Sequence, residues 1–219
     1  MNRCWNLSIC ILLLHCNAFA APKPHVVSLG HWTSISIRSE EGEKTPTIIK
    51  IRALYVDGRA KEFTFGTAHD VTERTFVIQR IYRMNDSLPQ QAGPTQWQWQ
   101  RGGWLLIDRI SGKIHGLALA EFDLDSSVAN WFRDYAAYCG ISDDGQTMYA
   151  MIMQIGRRKP LLKKSIGTTE DSQPVCATPV WDRDPIRVTF SQTADRKLTF
   201  SVKSRAVDVT TQDESEGGE

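Results

Sequence analysis

What this chain has little of narrows its reading first. No apolar run in it approaches the roughly 20 residues that cross a bilayer as a helix, so no membrane span is expected. Neither sign of charge predominates, with 26 Lys and Arg against 25 Asp and Glu. Without a basic stripe a nucleic-acid partner is excluded, because such binding leans on neutralising phosphates. His25, His31, His69 and His115 fall in no HExxH or paired-ligand spacing, so no metal and no other cofactor is expected. A Gly-x-Ser-x-Gly elbow, a phosphate loop and a dinucleotide fingerprint are all missing. Helical periodicity is scarce too, and that absence shapes the fold class.

Cysteine is sparse where it would matter. Of five, Cys4, Cys10 and Cys16 lie in "MNRCWNLSICILLLHCNAFA". That opening reads as a secretory signal peptide: Arg3 supplies a positive start, Leu7 to Leu14 a short apolar core, and "AFA" the small-x-small cleavage pattern. Cleavage is expected after Ala20, giving a soluble periplasmic or secreted product. Arg3 is the only charge in those twenty residues, so the remainder is formally neutral. It keeps two thiols, Cys139 and Cys176. In an oxidising compartment a disulfide between them is the default expectation, provided their Cα atoms come within about 7 Å.

What is present is a succession of short strand-like runs separated by turn signals. "APKPHVVSLG", within 21–30, reads as an extended lead-in, and "HWTSISIR" as a strand. "TIIKIRALYVDGRAKEFTFG" is a hairpin on Asp57-Gly58, a pair that tolerates positive φ at both positions. Simple counting from that turn sets Tyr55 opposite Ala60, Ala53 opposite Glu62, Ile51 opposite Thr64 and Arg52 opposite Phe63. "RTFVIQRIYR" alternates as a further strand. "QWQWQRGGWLLID" is expected to turn at Gly102-Gly103, which puts Trp97, Trp99, Arg101, Trp104, Leu106 and Asp108 on one face. "DRISGKIHGLAL" turns at Ser111-Gly112. "LDSSVANWFRD" is the one helical signal, a short helix near 126–134 capped by Asp125 or Ser126. "RRKPLLKK" reads as a basic edge strand, and "IRVTFSQTADRKLTFSVKSRAVDV" as a last hairpin. Residues 210–219 read as a disordered acidic tail. The sum is one all-β domain over 31–209, built mainly of antiparallel hairpins.

"DYAAYCGISDDGQTMYAMIMQIG" shows how much a face-by-face reading extracts. A turn at Asp144-Gly145 pairs Ile141 with Met148, Cys139 with Ala150 and Ala137 with Ile152. Both faces come out apolar, which predicts a hairpin covered on two sides. Cys139 has no charged neighbour to activate it, so it reads as structural rather than reactive. Tyr149 is expected to lie over the gap left by Gly140.

Two motifs carry a resemblance. "WLLIDRISGKI" resembles the paired outer strands of a β-propeller blade, with Asp-x-x-Ser-Gly-Lys making the turn. "YCGISDDGQTMYAMI" is similar to the Ser-x-Asp-Gly turn and following strand of propeller repeats in exported bacterial proteins. The likeness covers residues 104–156. Each motif occurs once, whereas propellers repeat blades of roughly 40–45 residues. It therefore implies two blade-like sheets packed as a sandwich, or a partly closed barrel, and it transfers no activity.

Three candidate sites follow. His69 and Asp70, with Glu73 and Arg74 in "GTAHDVTER", are placed to form the orienting pair of a hydrolase-like enzyme; the competing reading is a polar strand connection. Trp97, Trp99, Trp104 and Trp131, with Arg101 and Asp108 at the margin, suit a glycan or peptide ligand; the competing reading is core with Arg101 stacked on Trp104. A thiol enzyme pairing Cys139 with His69 or His115 has an apolar setting and a second cysteine against it. The expected function is a binding or accessory module, with glycan, peptide or an envelope protein as partner. A hydrolase-like enzyme and an envelope structural or assembly component are the alternatives.

Overall fold

Register, more than any single strand, explains this architecture. The structure, a computed structural model, describes residues 23–37, 46–90, 92–168, 177–191, 196–203 and 206–214. They form antiparallel β-sheets, and no helix occurs among them. The first sheet takes β1 (Val27–Leu29), β2 (Thr33–Ile37), β3 (Thr47–Val56), β4 (Arg59–Asp70), β5 (Thr75–Asn85), β6 (Trp97–Asp108) and β7 (Ile114–Leu117). Its strand order is β1-β3-β4-β5-β6-β7, with β2 sharing the outer edge of β3. The expected lead-in thus supplies a paired strand. The sheet curls: β2 approaches β6, and the His25 amide donates to the Ile110 carbonyl at 3.0 Å in the turn after β6.

The second sheet contains β8 (Asn130–Phe132), β9 (Tyr135–Ile141), β10 (Thr147–Gln154) and β11 (Leu162–Thr168), in the order β11-β10-β9-β8. The third contains β12 (Val180–Arg183), β13 (Ile186–Ser191), β14 (Arg196–Lys203) and β15 (Ala206–Glu214), paired in sequence. The hairpin of β9 and β10 has the register that counting from Asp144-Gly145 gives: Met148 with Ile141, Ala150 with Cys139, Ile152 with Ala137. Both its faces are covered. Ala137, Cys139, Ala150 and Ile152 pack on Val188, Phe190, Leu198 and Phe200 of the third sheet. Ala136, Tyr138, Met151 and Met153 pack with Val77 and Trp104 of the first sheet. The second sheet is therefore the middle layer of three, and burial on both faces is why its strands read as nearly continuous apolar runs.

Three expectations of register and turn are corrected. Counting from Asp57-Gly58 holds for Tyr55 and Ala60, but a bulge beyond them moves Ala53 opposite Phe63 and Ile51 opposite Phe65. The shift brings both phenylalanines onto the face of Ile51 rather than that of Arg52, an apolar match that decides the register. Gly102-Gly103 is not a hairpin turn: β6 runs unbroken and pairs with β5 from Trp97 to Asp108. Between Arg101 and Trp104 it carries one residue more than β5, a bulge. A Cβ on Gly102 would come within 3.1 Å of the Tyr82 ring, so glycine here serves a close approach. The bulge reverses strand parity, so Trp97, Trp99 and Arg101 still share a face with Trp104, Leu106 and Asp108. The space above Gly140 is filled by Glu121, whose carbonyl oxygen lies 2.8 Å from where a Cβ would stand, and not by Tyr149.

The helix near 126–134 does not form. The Asp123 carboxylate accepts from the amides of Asp125 at 3.1 Å and Ser126 at 2.7 Å. The Ser127 amide donates to the Asp123 carbonyl at 3.0 Å, which closes one turn. Ser127 then donates its hydroxyl to the Cys139 carbonyl at 2.6 Å, and Asn130–Phe132 pairs with β9. A single helical turn is a costly nucleus with little return, and pairing in the sheet wins. The expected tail also changes, because β15 continues to Glu214, opposite Arg196. Residues 215–219, the signal-like segment and Cys176 lie outside the described residues.

Two turns match their sequence signatures. At Asp108, Oδ1 accepts from the amides of Ile110 at 2.8 Å and Ser111 at 3.1 Å, and Gly112 takes φ +61°. At Asp144, the carboxylate accepts from the Ser142 hydroxyl and from the Gln146 amide at 3.0 Å.

Candidate functional site

A cleft of about 440 Å³ opens between the first sheet and the strap that leads into β8. Its cause is a coincidence of two bulges. On one side of β5 the register with β4 slips between Phe65 and His69, where Gly66 takes φ +71°. On the other side the register with β6 slips between Arg101 and Trp104. Both irregularities flank Gln79, whose side-chain amide donates to the Gly102 carbonyl at 3.2 Å. Bulges in both neighbours of β5 at the same level disrupt the ladder there and bend the flanking strands. The strap from Leu124 to Trp131 forms the opposite wall.

Aromatic rings line the deep side. Trp104 meets Trp131 edge to face at 5.1 Å between centroids, and His69 stacks on Trp131 at 6.1 Å. Trp104 and Trp131 are 8 % and 9 % exposed, yet among the described residues neither indole N–H has a hydrogen-bond partner. Leaving a buried donor unmatched costs about 1–3 kcal/mol. The lining contains Arg101 and His69 but no Asp or Glu. Arg101 sends Nη1 to the Asp125 carbonyl at 2.6 Å, while its Nε is shielded and unpartnered. His69 donates Nε2–H to the Arg133 carbonyl at 2.8 Å, which leaves Nδ1 as the acceptor of the neutral ring.

The residues expected from sequence are divided by this geometry. His69 and Asp70 are consecutive in β4 and leave opposite faces of the sheet. Asp70 pairs with Arg109 at 2.6 Å and does not line the cleft, so the two make no orienting dyad. Arg101 and Trp104 do line it, and neither is stacked on the other. On this face the guanidinium over tryptophan is that of Arg83, 5.9 Å from the Trp97 ring centroid and 5.6 Å from that of Trp99. Trp99 also meets Phe63 edge to face at 5.2 Å, and Trp97 is 53 % exposed. These rings continue the same face of β6 outward from the cleft.

Asp108 is elsewhere, at the far end of the strand. It accepts from Arg74 Nε at 2.9 Å and Nη2 at 2.5 Å. The Arg74 guanidinium, together with the turn amides, holds its carboxyl well below the usual carboxylate range. A carboxylate so occupied is a turn anchor, not a ligand group. Cys139 is buried against the third sheet, on the face of β9 away from the cleft. Among the described residues no three His, Cys, Asp or Glu side chains gather to hold a metal ion.

Sequence reading missed Gln79, Gly66 and the strap residues Ser127 and Asn130. One usable signal was there: a lone glycine within a long strand pattern, as at Gly66, marks a bulge or a close approach. No protein-family model matches this chain, and no curated protein sequence matches it either.

Proposed function

We propose that this chain is an exported binding module whose cleft between the first sheet and the strap holds an acceptor-rich ligand. The observation that carries this reading is the cleft itself, walled by Trp104, Trp131 and Arg101 with no Asp or Glu in its described lining. With Arg101 present and no competing carboxylate, the described lining favours a ligand with acceptors over a cation. Arg83, Trp97 and Trp99 on the same face extend the surface, which suits a ligand longer than the cleft itself. The separation of His69 from Asp70 removes the support for the hydrolase-like alternative.

The test is tryptophan fluorescence on the full chain against glycan and peptide panels. A binder is expected to change the emission saturably, and Trp131→Phe, which keeps a ring but shortens the wall it offers the ligand, is expected to weaken binding about 5-fold. Panels that leave the emission unchanged throughout would sink the module reading.

Export and a Cys139–Cys176 disulfide belong to the same proposal. They rest on the signal-like first twenty residues and on the exclusion of a reactive setting around Cys139, which is buried among Ala137, Ala150 and Ile152. Intact mass of the exported protein after alkylation without reduction decides both. The expected species begins at Ala21, carries no alkyl groups and weighs two hydrogens less than the dithiol chain. Two alkylated thiols would refute the disulfide, and a retained leader would refute the cleavage.

A further inference from the structure

We infer that the cleft is built for a carboxylate, seated on Arg101 with the rest of its ligand against Trp104 and Trp131. This rests on the binding reading above and names the chemistry of the ligand's anchoring group.

Several guanidinium groups in this fold already have partners. Arg74, Arg80, Arg109 and Arg187 each meet a carboxylate: Asp108, Glu62, Asp70 and Asp182. Arg52 lies over the Trp32 ring. Arg101 is different. It is half-buried, it lines a cleft, and no carboxylate among the described residues comes within ion-pair reach of it. Its one protein acceptor is a neutral backbone carbonyl. A guanidinium carries five donors in a planar fork whose geometry matches a carboxylate bidentately, and charge-assisted pairs of this kind are the strong ones. With Nε shielded and Nη1 bonded once, Nη2 and the second Nη1 hydrogen are left to meet a ligand end-on.

The remaining lining selects among anions. It offers a single permanent positive charge, which matches a monoanion. A phosphoryl dianion would leave one of its charges unmatched by this lining, which holds one arginine and no lysine. The Trp104, Trp131 and His69 rings suit a ring or apolar body beyond the carboxylate. A volume of about 440 Å³ sits in the low part of the usual range for small-ligand pockets, roughly 300–1,000 Å³. Two sources share this chemistry: the free C-terminus of a peptide, and a uronic acid residue of a glycan.

Matched acid and neutral probes test it by tryptophan fluorescence on the full chain. N-acetylphenylalanine is compared with its primary amide, and methyl glucuronide with methyl glucoside. In at least one pair the acid is expected to bind about 10-fold or more tightly than its neutral partner, and the pair that shows the gap identifies the source. Arg101→Gln is expected to shrink that gap to under about 3-fold while leaving the neutral partner's affinity unchanged. Arg101→Lys, which keeps the charge and loses the fork, is expected to fall between and stands in should Arg101→Gln not fold. Acids and neutral partners binding equally would overturn the carboxylate assignment and leave the binding module standing, as would a neutral ligand from the wider panels binding where no acid does. Silence from every probe and every panel would remove both.

Discussion

Phe200→Ala is expected to lower the unfolding free energy by about 3–5 kcal/mol, the usual cost of deleting a buried aromatic ring. Phe200 is fully buried and meets Phe190 edge to face at 5.8 Å. Around it, Val188 and Leu198 of the third sheet face Ala137, Ala150 and Ile152 of the middle one. No strand pairing joins these two sheets. What holds them is this apolar layer and a few edge bonds, such as Trp181 Nε1–H to the Asn130 carbonyl at 3.0 Å. Removing the ring leaves a cavity between two rigid sheets that relax only partly. Domains are stable by about 5–15 kcal/mol in total, so the loss is a large fraction, and a thermal midpoint lower by roughly 10 °C is expected. Urea denaturation measures it directly. A loss below about 1 kcal/mol would mean that the third sheet does not dock as described. Ligand response in the cleft, on the other face of the middle sheet, should survive below the new midpoint.

Gly140→Ala is expected to cost about 2–3 kcal/mol by overpacking. Its added Cβ would stand 2.8 Å from the Glu121 carbonyl oxygen, 2.9 Å from the Glu121 Cβ and 3.0 Å from the Met151 Cγ. The methionine side chain can give way. Glu121 cannot, because it is tied on every side. Its carbonyl accepts from the Ile141 amide at 2.8 Å, its carboxylate meets Lys163 Nζ at 2.6 Å, and its φ is +55°. The preceding carbonyl, of Ala120, accepts from the Tyr138 hydroxyl at 2.5 Å. Gly103→Ala is the control, since nothing lies within 4 Å of the Cβ it would add. It should change stability by less than about 0.5 kcal/mol. Equal losses in the two variants, by the same urea titration, would show that the close passage of the strap over β9 is not what demands glycine at 140.

Both predictions concern places where two sheets, or a sheet and a strap, press together, and these are where sequence reading was weakest. The middle hairpin was legible to the residue because its connection is symmetric about Asp144-Gly145, which gives the same count as a two-residue turn, and no bulge interrupts the pairing of β9 with β10. Asp57-Gly58 fixed a count as well, but one extra residue in β4 undid it two positions later. Gly102-Gly103 carried the right signal with the wrong meaning: two glycines between alternating segments describe a hairpin turn and a bulge equally well. The helix signal at 126–134 was a real turn, capped from Asp123, that β9 then overruled by pairing.

By itself, the sequence determined that this chain is all-β and antiparallel, where most strands fall, and that the hairpin around Cys139 is covered on both sides. Those follow from local rules, because alternation and turn residues act over a few positions along the chain. The cleft was decided only in three dimensions. It needs two bulges to meet across Gln79, and it needs a strap from elsewhere in the chain to bring Trp131 against Trp104. Likewise only the tertiary structure separated His69 from Asp70 and left Arg101 without a carboxylate. Which donors are left unmatched depends on what every other side chain has already taken, and that is a property of the whole fold.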